Sequence, residues 1–188
     1  AAIESDGGTT LHHRTKLAAE AFAHTAEYDT AIAGYFARQT SAGEATAADE
    51  HFPERLDLSL VRKSSLRYGE NPHQPAALYA LDDAPPTSVV YGEQLNGKEL
   101  SYNNWLDLDA AWGAALALPE PGVAVLKHNN PCGAATAATV GEATDLAWQG
   151  DPVSAFGSIL GFNVEVDAAA AESLAEPGKF VEAIAAPS

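Results

Sequence analysis

Behind Thr9-Thr10, the apolar positions Leu11, Ala18, Ala21 and Phe22 recur at roughly helical spacing, which predicts a threonine-capped helix through about Ala23. A second helix is predicted over residues 27–38, with Tyr28, Ile32, Tyr35 and Phe36 on its inward face. Residues 40–49 lose all periodicity, and their Thr, Ser, Ala, Gly, Glu and Asp composition marks a linker and a domain boundary.

Beyond the linker the period changes. Leu56 to Leu60 alternates as a strand does, and 76–80 and 88–91 are further strand candidates, broken apart by Pro85-Pro86. Leu106 to Leu118 reads as an Ala-rich helix interrupted only by Gly113 and ended by Pro119-Glu120-Pro121-Gly122. The apolar run Val123-Ala124-Val125-Leu126 predicts a buried strand, residues 127–133 the turn after it, and Ala134 to Gln149 an Ala/Thr-rich helix. Ser158 to Phe162 and Phe180 to Ile184 are later strand-like runs. Strand, helix, strand in this order predicts an α/β domain with functional loops at strand carboxyl ends, where Lys127 and His128 fall.

Composition narrows the function. The 188 residues suit one medium domain or parts of two, and an apolar fraction of 46% is enough for a core. No secretory or membrane-spanning run is visible, so a cytoplasmic protein is expected. Cys132 is the only cysteine, which rules out an intrachain disulfide and a clustered-cysteine metal site. Twenty-six acidic against ten basic residues give a net charge of −16, which argues against nucleic acid and anionic membranes as partners. Residues 55–127 nevertheless hold six of the ten Lys/Arg and only nine of the 26 acids, so an anionic ligand is expected there. Surface acid that keeps the protein hydrated in a salt-rich cytoplasm is a compatible reading. A chain with no methionine that stops just after a strand-like run reads as a piece of a longer one.

Three segments concentrate chemically capable side chains. In Leu66-Arg67-Tyr68-Gly69-Glu70-Asn71-Pro72-His73-Gln74, Arg67 offers a planar fork for a carboxylate or phosphate, Tyr68 a ring face and a hydroxyl, and Gly69 close backbone approach. Asn71-Pro72 turns the chain and leaves His73 facing away from Arg67; an ordinary polar loop is the alternative. In Lys127-His128-Asn129-Asn130-Pro131-Cys132-Gly133, the histidine is able to take a proton from an attacking amine and the lysine to offset charge on a carbonyl oxygen. A turn-capping histidine beside a solvated lysine is the alternative. In Asp151-Pro152-Val153-Ser154-Ala155-Phe156-Gly157, Gly157 would let backbone approach a ligand and Ser154 donate to a phosphate, or the segment is an Asp-Pro turn into a buried strand.

These segments, with Gly97-Lys98-Glu99-Leu100-Ser101-Tyr102-Asn103-Asn104, Asp107 and Asp109-Ala110-Ala111, resemble in order the bifunctional purine-biosynthesis family that combines AICAR formyltransferase with IMP cyclohydrolase (AICAR is aminoimidazole carboxamide ribotide). The resemblance covers nearly the whole chain. It implies an α/β fold with cytidine-deaminase-like subdomains, residues 50–188 forming the N-terminal part of the formyltransferase domain. Residues 1–49 would be the last helices of the cyclohydrolase domain and a linker. The implied reaction moves a formyl group from 10-formyltetrahydrofolate, the co-substrate, to the 5-amino group of AICAR, without a metal. By the same resemblance His128 is the base for the amine and Lys127 assists it. Arg67, Tyr68 and Gly157 help hold the nucleotide, His73 lies near the site, and the active sites sit at a homodimer interface.

Asn129 departs from the family, whose bacterial members usually carry Thr there. The family's remaining nucleotide and folate contacts would lie outside these residues, so the isolated chain is expected to be inactive. Two other readings remain open: a hydrolase with Cys132 as nucleophile and His128 as base, and a non-catalytic nucleotide-binding or subunit-docking module.

Overall fold

The computed structural model describes residues 7–41, 58–81 and 87–187. The backbone divides into two compact units, residues 1–57 and 58–188. Among the described residues of the first, a single helix, α1, spans Leu11–Ser41, where two were expected. It runs through 23–26 because Ala-His-Thr-Ala holds no Gly or Pro, and the Thr25 hydroxyl is accommodated by donating back to the Phe22 carbonyl at 3.1 Å. The threonine cap is present, with Thr10 Oγ1 accepting from the His13 amide at 3.1 Å. The apolar residues expected to face inward are instead exposed, Tyr28 at 66% and Phe36 at 60%, because no second described element of that unit packs on them. The predicted linker lies outside the described residues except for Thr40 and Ser41, which end the helix.

The second unit is mixed α/β. Strands β1 (Leu60–Leu66) and β2 (Ala76–Leu81) form an antiparallel ribbon with a bulge at Lys63. β1 begins where the predicted strand was to end; Leu56 and Asp57 lie outside the described residues. The hydrophobic pattern misses β1 because Arg62 to Ser65 are exposed and no apolar face is needed. Residues 88–91, expected as a strand, curl instead into a 3-10 turn, with Tyr91 and Gly92 amides donating to the Ser88 and Val89 carbonyls. The Tyr91 hydroxyl ties that turn to the Leu81 carbonyl at 2.7 Å. Pro85-Pro86 lie outside the described residues.

Helix α2 (Tyr102–Leu116) starts earlier than its apolar period, because Ser101 and Asn104 make a reciprocal capping box, and it continues through Gly113. β3 (Gly122–Lys127), β4 (Asn130–Thr136), β5 (Ser158–Phe162) and β6 (Val181–Ala185) form one sheet in the order β4-β3-β5-β6. β3 runs antiparallel to β4 and to β5, and β5 parallel to β6. Helices α3 (Val140–Gln149), α4 (Pro152–Ala155) and α5 (Ala168–Leu174) complete the unit.

The central strands are buried on both faces, which explains their unbroken apolar sequences. Val123, Val125, Leu160 and Phe162 pack with α3 residues Ala143, Ala147 and Trp148, whereas Ala124, Leu126 and Ile159 pack with α2 residues Leu108, Ala111 and Ala115. Alternation along β3 and β5 thus feeds two cores, one on each side of the sheet. At Asn163 a buried amide closes the edge of the second core: its Oδ1 accepts from the Gly122 amide at 2.7 Å, and its Nδ2 donates to the Ala115 and Leu118 carbonyls.

The segment after β3 corrects the expected topology. Only His128 and Asn129 form the turn, and the chain returns at once as β4, so Ala134 to Thr136 are strand and the helix begins at Val140 behind the Thr139 cap. Pairing with β3 overrides the helical preference of those residues, and Pro131, which has no N–H to give a ladder, is tolerated on an edge strand. Val125 pairs with Gly133 and Leu126 with Pro131, leaving Cys132 as the extra residue of a bulge.

Candidate functional site

Helix α2 brings separated parts of the sequence together. At its start the Tyr102 amide donates to the Tyr68 carbonyl at 3.0 Å and Asn103 Nδ2 reaches the Glu70 carbonyl at 3.4 Å, while the Arg67 amide donates to the Leu100 carbonyl at 3.1 Å. The Arg67–Gln74 loop is therefore laid across the helix N-terminus. It is closed on itself by the Gly69 amide on the Gln74 carbonyl at 2.7 Å and by the Asn71 amide on Gln74 Oε1 at 2.8 Å. One turn further along α2, Asp107 Oδ1 accepts from the Asn129 amide at 2.7 Å and so anchors the β3–β4 turn.

Between these anchors lies an open cleft of about 270 Å³ lined by Glu70, Asn103, Leu106, Asp107, His128 and Asn129. Asn103, Leu106 and Asp107 present one helical face to it, as i, i+3 and i+4 spacing requires. A second depression, lined by Gly69, Glu70, Gln74, Pro75, Ala76 and Tyr102, adjoins it at Glu70.

The sequence-predicted residues distribute unevenly around this cleft. The exposed imidazole of His128 lines it, on a residue with φ of 51°. Lys127 does not: its Nζ lies 2.5 Å from the Phe156 carbonyl and 3.2 Å from that of Gly157. Gly157 takes φ of +73°, donates its amide to the Phe180 carbonyl at 2.7 Å, and a Cβ there would sit 3.2 Å from the Lys127 ammonium. Lys127, at the end of β3, and Gly157, in the turn that leads into β5, thus meet each other, while His128 faces the cleft. Arg67 stacks on the Tyr68 ring, 4.8 Å from its centroid, and donates to its hydroxyl at 3.1 Å; its Nε is buried without a hydrogen-bond partner. His73 is exposed at the tip of the loop and lines neither depression.

Glu70, Asn103 and Asp107 line the cleft although the sequence assigned them no role. Their signal was present in the spacing of Asn103 and Asp107 on one helix face. Two carboxylates and no cation line the cleft, so the cations expected to meet an anionic ligand, Arg67 and Lys127, stand beside it.

Asp151 caps α4 through the Val153 and Ser154 amides, and the Ser154 hydroxyl donates to its other oxygen at 2.6 Å. These bonds, that hydroxyl first, hold its carboxyl below the usual carboxylate range. Ser154 is thereby engaged by the cap. Cys132 points its thiol at the Val125 carbonyl, 3.5 Å away, among apolar neighbours of the core. Burial pushes that thiol up from its ordinary value of 9.0, and the Asp151 charge adds to the shift. Among the described residues no group of three or more His, Cys, Asp or Glu side chains is arranged to hold a metal ion. No helix there is long and apolar enough to cross a membrane.

Residues 1–188 match the family model of the AICARFT/IMPCHase bienzyme. The chain belongs to this family. Over 185 residues it is 55% identical to the bifunctional purine biosynthesis protein PurH of Rhodopirellula baltica, a span that covers 98% of this chain and 34% of that protein. Over 173 residues it is 50% identical to the PurH proteins of two Desulfitobacterium hafniense strains, covering 92% of this chain and 33% of each of theirs. The chain therefore spans about a third of the length of the curated relatives it matches.

Proposed function

We propose that this chain carries the beginning of a domain that transfers the formyl group of 10-formyltetrahydrofolate to the 5-amino group of AICAR in purine biosynthesis. In this reading residues 50–188 are the N-terminal part of a formyltransferase domain with cytidine-deaminase-like subdomains, and residues 1–49 are the end of an IMP cyclohydrolase domain with its linker. The working unit is a homodimer of the longer parent protein, with active sites shared between subunits, and the isolated 188 residues do not turn over.

The AICAR amine nitrogen attacks the formyl carbon, the bond from that carbon to N10 of the folate breaks, and N10 takes up a proton as the amine gives one up. His128 accepts the amine proton. Two protein carbonyls engage Lys127, so one of its three N–H donors remains for the oxygen that gains negative charge. Arg67, with its Nε buried and unpartnered and its plane on Tyr68, is the donor for a nucleotide phosphate or carboxamide oxygen.

The observation that carries this reading is the placement of the His128 turn. It is anchored by Asp107 beside the loop that holds Arg67 and Tyr68, so residues from the family-like segments share one surface. A part-buried thiol with a raised pKa at Cys132 argues against the hydrolase alternative.

The test is formation of tetrahydrofolate from AICAR and 10-formyltetrahydrofolate by the complete parent protein, in low and high salt. His128→Ala is expected to lose on the order of a hundredfold or more, the usual cost of removing a general base. A wild-type protein silent in every salt would sink the assignment and leave a nucleotide-binding module in its place.

A further inference from the structure

The turn that displays His128 is held in an unfavourable backbone conformation. β3 and β4 are joined by two residues, Lys127 pairing with Asn130, and both turn residues take left-handed angles, His128 at φ 51° and Asn129 at φ 61°. Two-residue hairpins of this kind favour Asn-Gly or Gly-Gly, since a Cβ in the left-handed region crowds the following carbonyl. Here neither position is glycine. Each Cβ adds strain that the surroundings must offset.

Two side chains supply the compensation. Asn130 Nδ2 donates to the His128 carbonyl at 2.8 Å, from within the hairpin. Asp107, twenty-two residues earlier and on a different element, accepts from the Asn129 amide at 2.7 Å. A carboxylate accepting from an amide makes a charge-assisted bond, stronger than a neutral one. Asp107 sits on a rigid scaffold: α2 is packed into the sheet through Leu108 and Ala111, the residues that follow it, and is fixed at its start by the Ser101–Asn104 box. The bond therefore transmits the position of α2 to the turn. α2 also carries Asn103 and Leu106, which line the same cleft as His128.

From this we infer that Asp107 is a positioning residue for His128: by holding the Asn129 amide it locks the left-handed turn and sets the imidazole against the cleft. Asp107 acts through the backbone of the turn and takes no proton itself. The inference rests on the formyl-transfer reading for its kinetic consequence, but the clamp on the turn stands or falls without it.

The experiment uses the complete parent protein with Asp107→Ala, Asp107→Asn, and Asp107→Ala combined with Asn129→Gly. Two readouts are taken: steady-state formyl transfer, and hydrogen exchange of the peptide containing 126–131. Asp107→Ala is expected to lower kcat on the order of ten- to a hundredfold, as a small misplacement of a reacting group does, with KM for AICAR changing less than about threefold. Exchange at the turn should rise on the order of tenfold. Asp107→Asn keeps an acceptor oxygen and should lose far less. Adding Asn129→Gly to Asp107→Ala removes the strain that the clamp offsets and should restore much of the lost kcat, which a general loss of folding would not permit.

Unchanged kcat and unchanged exchange in Asp107→Ala would overturn the inference. An equal loss in Asp107→Asn and Asp107→Ala, without rescue by the glycine, would overturn it as well and give the carboxylate charge a direct role. If the wild type transfers no formyl group, the functional reading fails, and the exchange arm alone decides the clamp: faster exchange in Asp107→Ala supports it and unchanged exchange overturns it.

Discussion

The ammonium of Lys127 lies 2.5 Å from the Phe156 carbonyl oxygen, so two residues adjacent in sequence, Lys127 and His128, serve different neighbourhoods. Lys127 stitches the end of β3 to the start of β5, and His128 leaves the sheet in a left-handed turn. Their contributions to stability should differ accordingly. Lys127→Met strands two carbonyls and is expected to cost about 1–2 kcal/mol. His128→Gly relieves a strained φ and is expected to raise stability by about 1 kcal/mol while abolishing activity. Urea denaturation midpoints check both, and a destabilised His128→Gly would remove the strain from the account.

Gly161 and Gly113 test how closely α2 meets the sheet. A Cβ on Gly161 would fall 2.1 Å from the Ala111 carbonyl oxygen, a backbone atom that cannot step aside, whereas one on Gly113 meets nothing within 4 Å. Gly161→Ala should cost about 3 kcal/mol through overpacking. Gly113→Ala, inside the helix, should gain about 0.5–1 kcal/mol. Thermal melts of the two variants should move in opposite directions.

Acid should weaken one tertiary lock before others. The Ser173 hydroxyl, first, and then Lys179 hold the Asp145 carboxyl below its ordinary value of 3.8. A carboxyl lowered in the folded state stabilises fully above its unfolded value, and that stabilisation is lost as pH falls through the lower folded value. Asp145→Asn should flatten stability against pH below about 4. The carboxylate side chain is 50% exposed, so solvent screening keeps the cost at pH 7 under about 1 kcal/mol. An unchanged acid slope in urea titrations would count against this ion pair.

Cys132 should be slow to react. Its thiol is part-buried in the β4 bulge with a raised pKa, so the folded protein is expected to take up iodoacetamide at pH 7.5 on the order of tenfold more slowly than the urea-unfolded chain. AICAR should not alter that rate, since Cys132 lies outside the cleft. Fast alkylation of the folded protein would reopen the thiol chemistry.

The sequence by itself determined the family, the mixed α/β class, the buried strand 123–126, the buried run 158–162 and the segments dense in chemically capable side chains. Each of these rests on local information: unbroken apolar runs for strands covered on both faces, and dense clusters of polar residues between them. It misjudged elements whose conformation depends on distant partners. Nothing in Ala134-Ala135-Thr136 announces a strand, because only the ladder to β3 makes it one. The Arg62–Ser65 stretch of β1 shows no apolar face, because its ribbon is solvated. One helix stands where two were read, since residues 23–26 between them hold no Gly or Pro to end it.

The tertiary structure alone decided which residues of those segments meet. The position of Lys127 and His128 at a strand end suggested that they could share a site, whereas the fold places Phe156 and Gly157 against the lysine and Asp107 against the histidine's turn. Asp107 and Asn129 are brought together by the packing of α2 on the sheet, a relationship of volume and backbone direction that no spacing along the chain encodes.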